Sequence, residues 1–273
     1  MRKQGYILLC MLIGTAFFIV LLTGALVKTT QTETIPKDIL SSAKYREQCL
    51  DEDMLSFLED KKNPGYYVSL YLLENEVGHY SEENFNRLEK KWKEEKFCKT
   101  YLNTTKAIWD DAKYFPVPEF TNHKTWTVSY VNTWMSERNY GGQRGHEGTD
   151  LMASKNKRGL FPVISMTDGV VTKKGWLEKG GYRIGITSTH GVYFYYAHLD
   201  SYANLEEGDV VKAGDILGFM GDSGYGEEGT VGQFAVHLHV GIYIYPDGEE
   251  VSVNPYWVLR NLEKHKVKCY TEE

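Results

Sequence analysis

Apolar and polar positions alternate most clearly late in the chain, where Phe234, Val236, Leu238, Val240, Ile242 and Ile244 are separated by His237, His239, Gly241, Tyr243 and Tyr245. A period of two predicts a strand with one apolar face against a core and a second face free for other work. Shorter strands are predicted at 163–172, 183–189, 192–198 and 215–220, bounded by the turn signals Asp168-Gly169, Gly180-Gly181, His190-Gly191 and Asp222-Ser223-Gly224. Upstream the period changes to a helical one. Ile39, Leu40, Ala43, Met54, Leu55, Leu58, Leu70, Leu72 and Leu73 lie among charged residues, and Phe85, Leu88, Trp92, Phe97, Tyr101 and Ile108 recur every three to five positions. Asn63-Pro64-Gly65 interrupts the helical pattern, and Phe115-Pro116-Val117-Pro118 ends it, because a residue before proline is pushed out of the helical region.

A third pattern opens the chain. Residues 5–27 are uncharged and mostly apolar, preceded by Arg2 and Lys3 and followed by Lys28. The run is long enough to span a bilayer and longer than the core of a secretory leader, so it predicts a single transmembrane anchor rather than a cleaved peptide. The two leading cations place the N-terminus in the cytoplasm and the rest of the chain on the extracellular side of the cell membrane. The expected organisation is therefore a cytoplasmic tip and anchor (1–27), a polar tether (28–37), a helical region (38–118), a β-rich domain (119–262) and a tail (263–273).

Composition sharpens this picture in two places. Thirty-one Lys and Arg against 37 Asp and Glu leave a net charge of −6, which excludes the basic field needed to hold nucleic acid. Of the four cysteines, Cys10 falls in the apolar run. Cys49, Cys98 and Cys269 would be external, where disulfides persist; a Cys49–Cys98 bridge and three free thiols both remain open.

Candidate chemistry sits in the β-rich half. At about 3.3 Å per residue, His237 and His239 project from one strand face roughly 6.6 Å apart, so two imidazoles share one space. His146-Glu147-Gly148-Thr149-Asp150 supplies a further imidazole and a carboxylate, and Gly141, Gly142, Gly145 and Gly148 argue for a loop around them rather than a helix. Two histidines and one acid with an open fourth position suit catalytic zinc. Tyr195-Tyr196-Ala197-His198-Leu199 brings one more histidine at a strand end.

Together, GHEGTDL at 145–151, YAHL at 196–199 and HLHVG at 237–241 resemble, in order and content, the lysostaphin-type zinc peptidoglycan endopeptidases, over about residues 126–262. The resemblance implies a mainly β catalytic domain, a β-sandwich-like hybrid barrel, in which His146, Asp150 and His239 bind Zn2+. It also implies that His198 and His237 are catalytic histidines outside the metal shell, without dividing base from oxyanion partner between them. Tyr140, six residues before His146, is the candidate for a hydroxyl donor to the oxyanion. The expected reaction is hydrolysis of a peptide bond in peptidoglycan cross-links by metal-activated water. The same fold without activity, as a scaffold that binds an envelope protein through the helical region, is the alternative. Glu227 and Glu228, in the loop 222–232 expected beside the cleft, either favour a cationic group on the substrate or are simply solvated.

Overall fold

The computed structural model describes residues 13–16, 18–19, 34–74 and 77–271. Met1–Pro36 and Lys37–Glu273 form separate compact units, and all elements named below belong to the second. The expected anchor at 5–27 lies outside the described residues except for 13–16 and 18–19, which are helical. Among the described residues no helix is long and apolar enough to cross a membrane.

The helical spacing resolves into α1 (Ala43–Glu47), α2 (Glu52–Leu58), α3 (Pro64–Leu73), α4 (Glu82–Trp92) and α5 (Cys98–Asp110). Their starts follow from local chemistry. Side chains of Ser42, Asp51 and Ser81 accept the free N–H groups of Tyr45, Met54 and Asn84, and Pro64 occupies the first turn of α3, where its missing N–H costs nothing. Gly65 lets α3 approach α5 closely: a Cβ there would stand 2.6 Å from the Lys106 Cα, and the Gly65 N–H donates to Asp110 at 2.7 Å. Cys49, Cys98 and Cys269 are all free thiols.

From residue 119 the chain is mainly β. Its strands are β1 (Glu119–Phe120), β2 (Val128–Ser129), β3 (Glu137–Arg138), β4 (Arg144–Gly145), β5 (Thr149–Ala153), β6 (Pro162–Ile164) and β7 (Gly169–Leu177). They continue as β8 (Gly181–Ser188), β9 (Tyr193–Tyr202), β10 (Val210–Val211), β11 (Ile216–Met220), β12 (His237–Ile244) and β13 (Val251–Val253), then α6 (Tyr256–Leu262) and β14 (Lys268–Cys269). The main sheet runs β10-β7-β8-β9-β12-β5-β2, with β13 also on β12, and with β11 joining β9 to β6. Its pairings are antiparallel. One face is core: Leu238, Val240 and Ile242 of β12 are wholly buried with Phe194 and Tyr196 of β9 and Ile184 and Ile186 of β8.

Three expectations need correction. The run 163–172 is two strands, β6 and β7, because the Ser165 hydroxyl donates to the Thr167 carbonyl at 2.7 Å and Asp168 accepts from the Ala213 N–H at 2.9 Å, turning the chain between them. Asp150 lies on strand β5 and not in a loop; only His146 does, just after the β3–β4 hairpin. Strand β12 begins at His237, so Phe234 is not on its core face; its ring packs instead against those of His198 and His237, at 4.7 and 5.0 Å.

Candidate metal centre

Strand pairing brings the distant motifs together. Strand β12 lies between β5 and β9, with His239 registered opposite Asp150 on one side and Ala197 on the other. His146 is carried over the same point by its loop, whose backbone is fixed by its N–H donating to Ser136 and its carbonyl accepting from Met135, both at 2.9 Å. The result is a triangle of donor atoms: His146 Nε2, His239 Nδ1 and Asp150 Oδ1 are separated by 3.1, 2.9 and 3.1 Å. Ligands at about 2.0–2.1 Å around a tetrahedral ion would stand roughly 3.3 Å apart, so the triangle is close to the one zinc requires. The donor chemistry, two imidazole nitrogens and one carboxylate oxygen, fits as well.

Two of the three donors are oriented from behind. Thr133 Oγ1 lies 2.9 Å from His146 Nδ1 and holds the ring with Nε2 facing inward. Arg138 Nη2 donates to Asp150 Oδ2 at 2.7 Å, which leaves Oδ1 for the centre. Burial works against the Asp150 charge, but hydrogen bonds from His146 and His239 and the nearby imidazoles outweigh it and hold the carboxyl well below the usual range. Burial likewise pushes the His239 imidazole down, opposed by Asp150. Gly148 is required by packing, since a Cβ there would overlap Cε1 and Nε2 of His239.

His198 and His237 flank the triangle, with ring centroids 4.7 Å apart. His237 Nδ1 donates to the Ala235 carbonyl and His198 Nδ1 to the Ser223 carbonyl, each at 2.8 Å, so both keep Nε2 free; that of His237 is 3.8 Å from Asp150 Oδ1. Burial, reinforced by His237 and His239, holds the His198 imidazole well below its ordinary pKa. Its backbone is strained, with φ at 62° in a non-glycine residue. Such a conformation costs on the order of 1–3 kcal/mol and persists only where neighbours over-determine it. Here the His198 N–H donates to Gly180 at 2.8 Å, and its carbonyl accepts from Gly221 at 2.9 Å.

These groups share a cleft of about 600 Å³ with Tyr193, Tyr195, Tyr225, Phe234 and Tyr243. The Tyr193 and Tyr243 rings can lie against the sheet because Gly185 and Gly241 occupy the strand positions beneath them, where a Cβ would collide with each ring. Tyr140 is on the rim rather than in the lining: its ring stacks on Tyr225 at 4.1 Å and its hydroxyl donates to Glu178 at 3.4 Å. Glu227 and Glu228 are exposed and do not line the cleft. A larger cavity of about 810 Å³ opens between α5 and the turn at His190, but among the described residues no three metal donors converge there, and we assign the chemistry to the smaller cleft.

Sequence reasoning missed Thr133, Arg138, Arg144, Arg183, Tyr195 and Phe234. Tyr195 was accessible in principle, two residues before Ala197 on the same strand face. Thr133 reaches the centre from a loop and Arg138 from the two-residue strand β3, and neither is long enough to carry a periodic signal.

Comparison with known proteins places the arrangement. Residues 144–255, which hold all five histidine and aspartate positions, match Peptidase family M23, and residues 31–111 match the LytM N-terminal domain. A crystal structure from Ruminococcus gnavus ATCC 29149, provisionally named glycyl-glycine endopeptidase LytM, superimposes with a TM-score of 0.81 at 54% identity, covering 86% of this chain and 96% of that one. The chain belongs to peptidase family M23. The family's members are zinc metallopeptidases, in agreement with the donor set. Among curated M23 relatives, the L-Ala--D-Glu endopeptidase of Bacillus subtilis (strain 168) is 42% identical over 153 residues, 56% of this chain and 44% of that protein. Glycyl-glycine endopeptidase ALE-1 of Staphylococcus capitis is 33% identical over 127 residues, 44% of this chain and 31% of that protein. The chain thus spans less than half the length of these curated relatives.

Proposed function

We propose that the protein is a zinc endopeptidase that hydrolyses peptide bonds in peptidoglycan cross-links. The observation that carries this reading is the convergence of His146, Asp150 and His239 within 3.1 Å of one another, flanked by two imidazoles whose Nδ1 atoms are tied to backbone carbonyls. Zinc held there would supply Lewis acidity, lowering the pKa of a water and polarising the scissile carbonyl. The chain's own groups do the rest. His198 and His237 present Nε2 atoms that can take a proton from the attacking water and return one to the leaving amine, or donate to the oxyanion. The aromatic lining of the cleft accepts an extended peptide. Tyr140 joins the proposal as a hydroxyl donor from the rim, which requires its hydroxyl to turn from Glu178 into the cleft when substrate binds.

Support for a peptidoglycan substrate comes from the relatives, whose names specify two different bonds, L-Ala--D-Glu and glycyl-glycine. Digestion of purified peptidoglycans of differing cross-link chemistry by the zinc-loaded protein, with mass analysis of released peptides, tests the reading. No released peptide from any wall, alongside stoichiometric zinc, would refute it. We further propose that residues 5–27 anchor the protein in the cell membrane with the catalytic face outside, on the strength of the apolar run and its leading cations. The helical region is a candidate surface for an envelope partner. Protease accessibility of the β domain in intact cells, compared with lysed cells, tests the orientation.

A further inference from the structure

The protein is acidic overall, yet its cleft is not. Five basic side chains line it, those of Arg138, Arg144, Lys173, Lys179 and Arg183, against the acids Glu147, Asp150 and Glu250. Glu147 and Asp150 are paired with arginines, whereas Glu250 accepts only from a neutral hydroxyl and keeps its charge. Glu147 accepts from Arg46 at 2.8 Å, Glu250 from the Tyr245 hydroxyl at 3.0 Å, and Asp150 from Arg138 at 2.7 Å while also facing the metal point. Two of the bases are engaged as well, Arg138 on Asp150 and Lys179 on the Gly141 carbonyl at 3.3 Å. What is left over is positive. Arg144 Nε and Arg183 Nη1 are buried nitrogens with no hydrogen-bond partner, and no acid among the described residues forms an ion pair with Lys173. An orphaned guanidinium N–H in a substrate cleft is costly unless something arrives to accept from it.

Position says what that is. Arg183 lies on β8 beside the bulged stretch of β9 that contains Ala197, and Ala197 is registered with His239 on β12. Two strand spacings of about 4.8 Å put Arg183 roughly 10 Å from the ligand strand, the length of about three residues of extended peptide. Lys173, on β7, is registered with Gly185 of β8, two residues along that strand from Arg183, and so stands on the neighbouring same-face row of the cleft.

Given the peptidase reading above, on which this rests, we propose that Arg144, Lys173 and Arg183 form a carboxylate-recognition wall, so that the preferred substrate is an acidic peptide with a free carboxylate within about three residues of the scissile bond. A guanidinium fork matches a carboxylate in geometry as well as charge, whereas a run of glycines offers it only neutral backbone carbonyls. The wall therefore separates an acidic stem peptide from a glycine bridge.

The test uses two synthetic stem peptides, identical except that the acidic residue beside the scissile bond carries either a free α-carboxylate or a carboxamide, with pentaglycine as a third substrate. The zinc-loaded protein is expected to show a kcat/KM about 10- to 100-fold higher for the carboxylate peptide, as for the loss of one charge-assisted hydrogen bond. Arg183→Gln should reduce that preference to less than about threefold, chiefly through loss on the carboxylate peptide, with zinc content unchanged. Arg144→Gln, on a different element, repeats the measurement should the first variant fold poorly. Equal kcat/KM for both peptides, faster cleavage of pentaglycine, or an undiminished preference in both variants would overturn the wall and leave the peptidase reading standing. Cleavage of none of the three would overturn the peptidase reading and the wall with it.

Discussion

Gly148→Ala should weaken zinc binding while leaving the fold intact. The position is buried between the ring of His239 and strand β12: a Cβ would overlap the Cε1 and Nε2 of that ring and stand 2.7 Å from the Val240 carbonyl oxygen. Carbon atoms need about 3.5 Å, so something must yield by roughly 1 Å. The carbonyl belongs to a central strand and cannot move without breaking its pairing. The imidazole can, but its Nδ1 then leaves the donor triangle, and metal–ligand distances tolerate only about 0.2 Å. Overpacking of this kind costs about 1–3 kcal/mol, which, taken from the binding free energy, is a roughly 5- to 150-fold weaker zinc affinity. Competition against a chromophoric chelator measures the affinity, and thermal melting of the metal-free variant reports whether the strain falls on the fold instead. Zinc affinity within twofold of the parent, together with an unchanged melting temperature, would refute the argument that the backbone at 148 is pressed against the ligand ring.

Other outcomes follow from the same geometry. Thr133→Val removes the oxygen beside His146 Nδ1 and is expected to lower zinc affinity about 10- to 100-fold with little change in the melting of the metal-free form; calorimetric zinc titration checks it. His146→Ala, Asp150→Ala and His239→Ala should lose zinc and activity together. His198→Ala and His237→Ala should keep stoichiometric zinc and lose about 10²- to 10⁴-fold in turnover, and near-normal cleavage by either would remove that residue from the proposed chemistry. The depressed His198 pKa makes the metal-free fold less stable in mild acid: the unfolded chain binds a proton below about pH 6.5 that the folded one refuses. That contribution is fully present above pH 6.5 and is lost as pH falls, at up to about 1.4 kcal/mol per unit, and urea midpoints at pH 5 and pH 8 should converge in His198→Gln. The Asp150 contribution, of the depressed carboxylate kind, is present above about pH 4 and lost only below it, so the two windows are separable.

The strand alternation around His237 and His239 was legible because one face of β12 is wholly buried, and period-two burial writes itself directly into the residue pattern. The helical spacing upstream was legible for the corresponding reason. His146 and Asp150 were readable as a pair close in sequence and His239 as one of two strand histidines; that the three assemble came only from the family resemblance, because the geometry depends on β5 and β9 pairing with opposite edges of β12. Asp150 was misplaced in a loop because the glycines around it suggested one, whereas they serve the hairpin and the close pass of His239 instead. Phe234 was read as core because it continues the alternation past the point where pairing begins. Arg138 and Arg183 gave no sign at all, for a lone arginine in a sequence does not reveal whether water or a cleft will surround it.

One contact between the helices and the sheet has a wider bearing. Arg46, in the short first helix, donates to Glu147 at 2.8 Å and to Ser252 Oγ at 2.7 Å, while its own carbonyl accepts from the Asn254 N–H at 2.7 Å. Glu147 is the neighbour of His146, a proposed metal ligand. The helical part is thus bolted to the loop that carries His146, so the two separately matched regions share a contact beside the site. A chimera joining this β domain to a foreign N-terminal half would inherit every catalytic group and lack the buttress behind one of them. Its fold would report success while its affinity for metal recorded the missing piece.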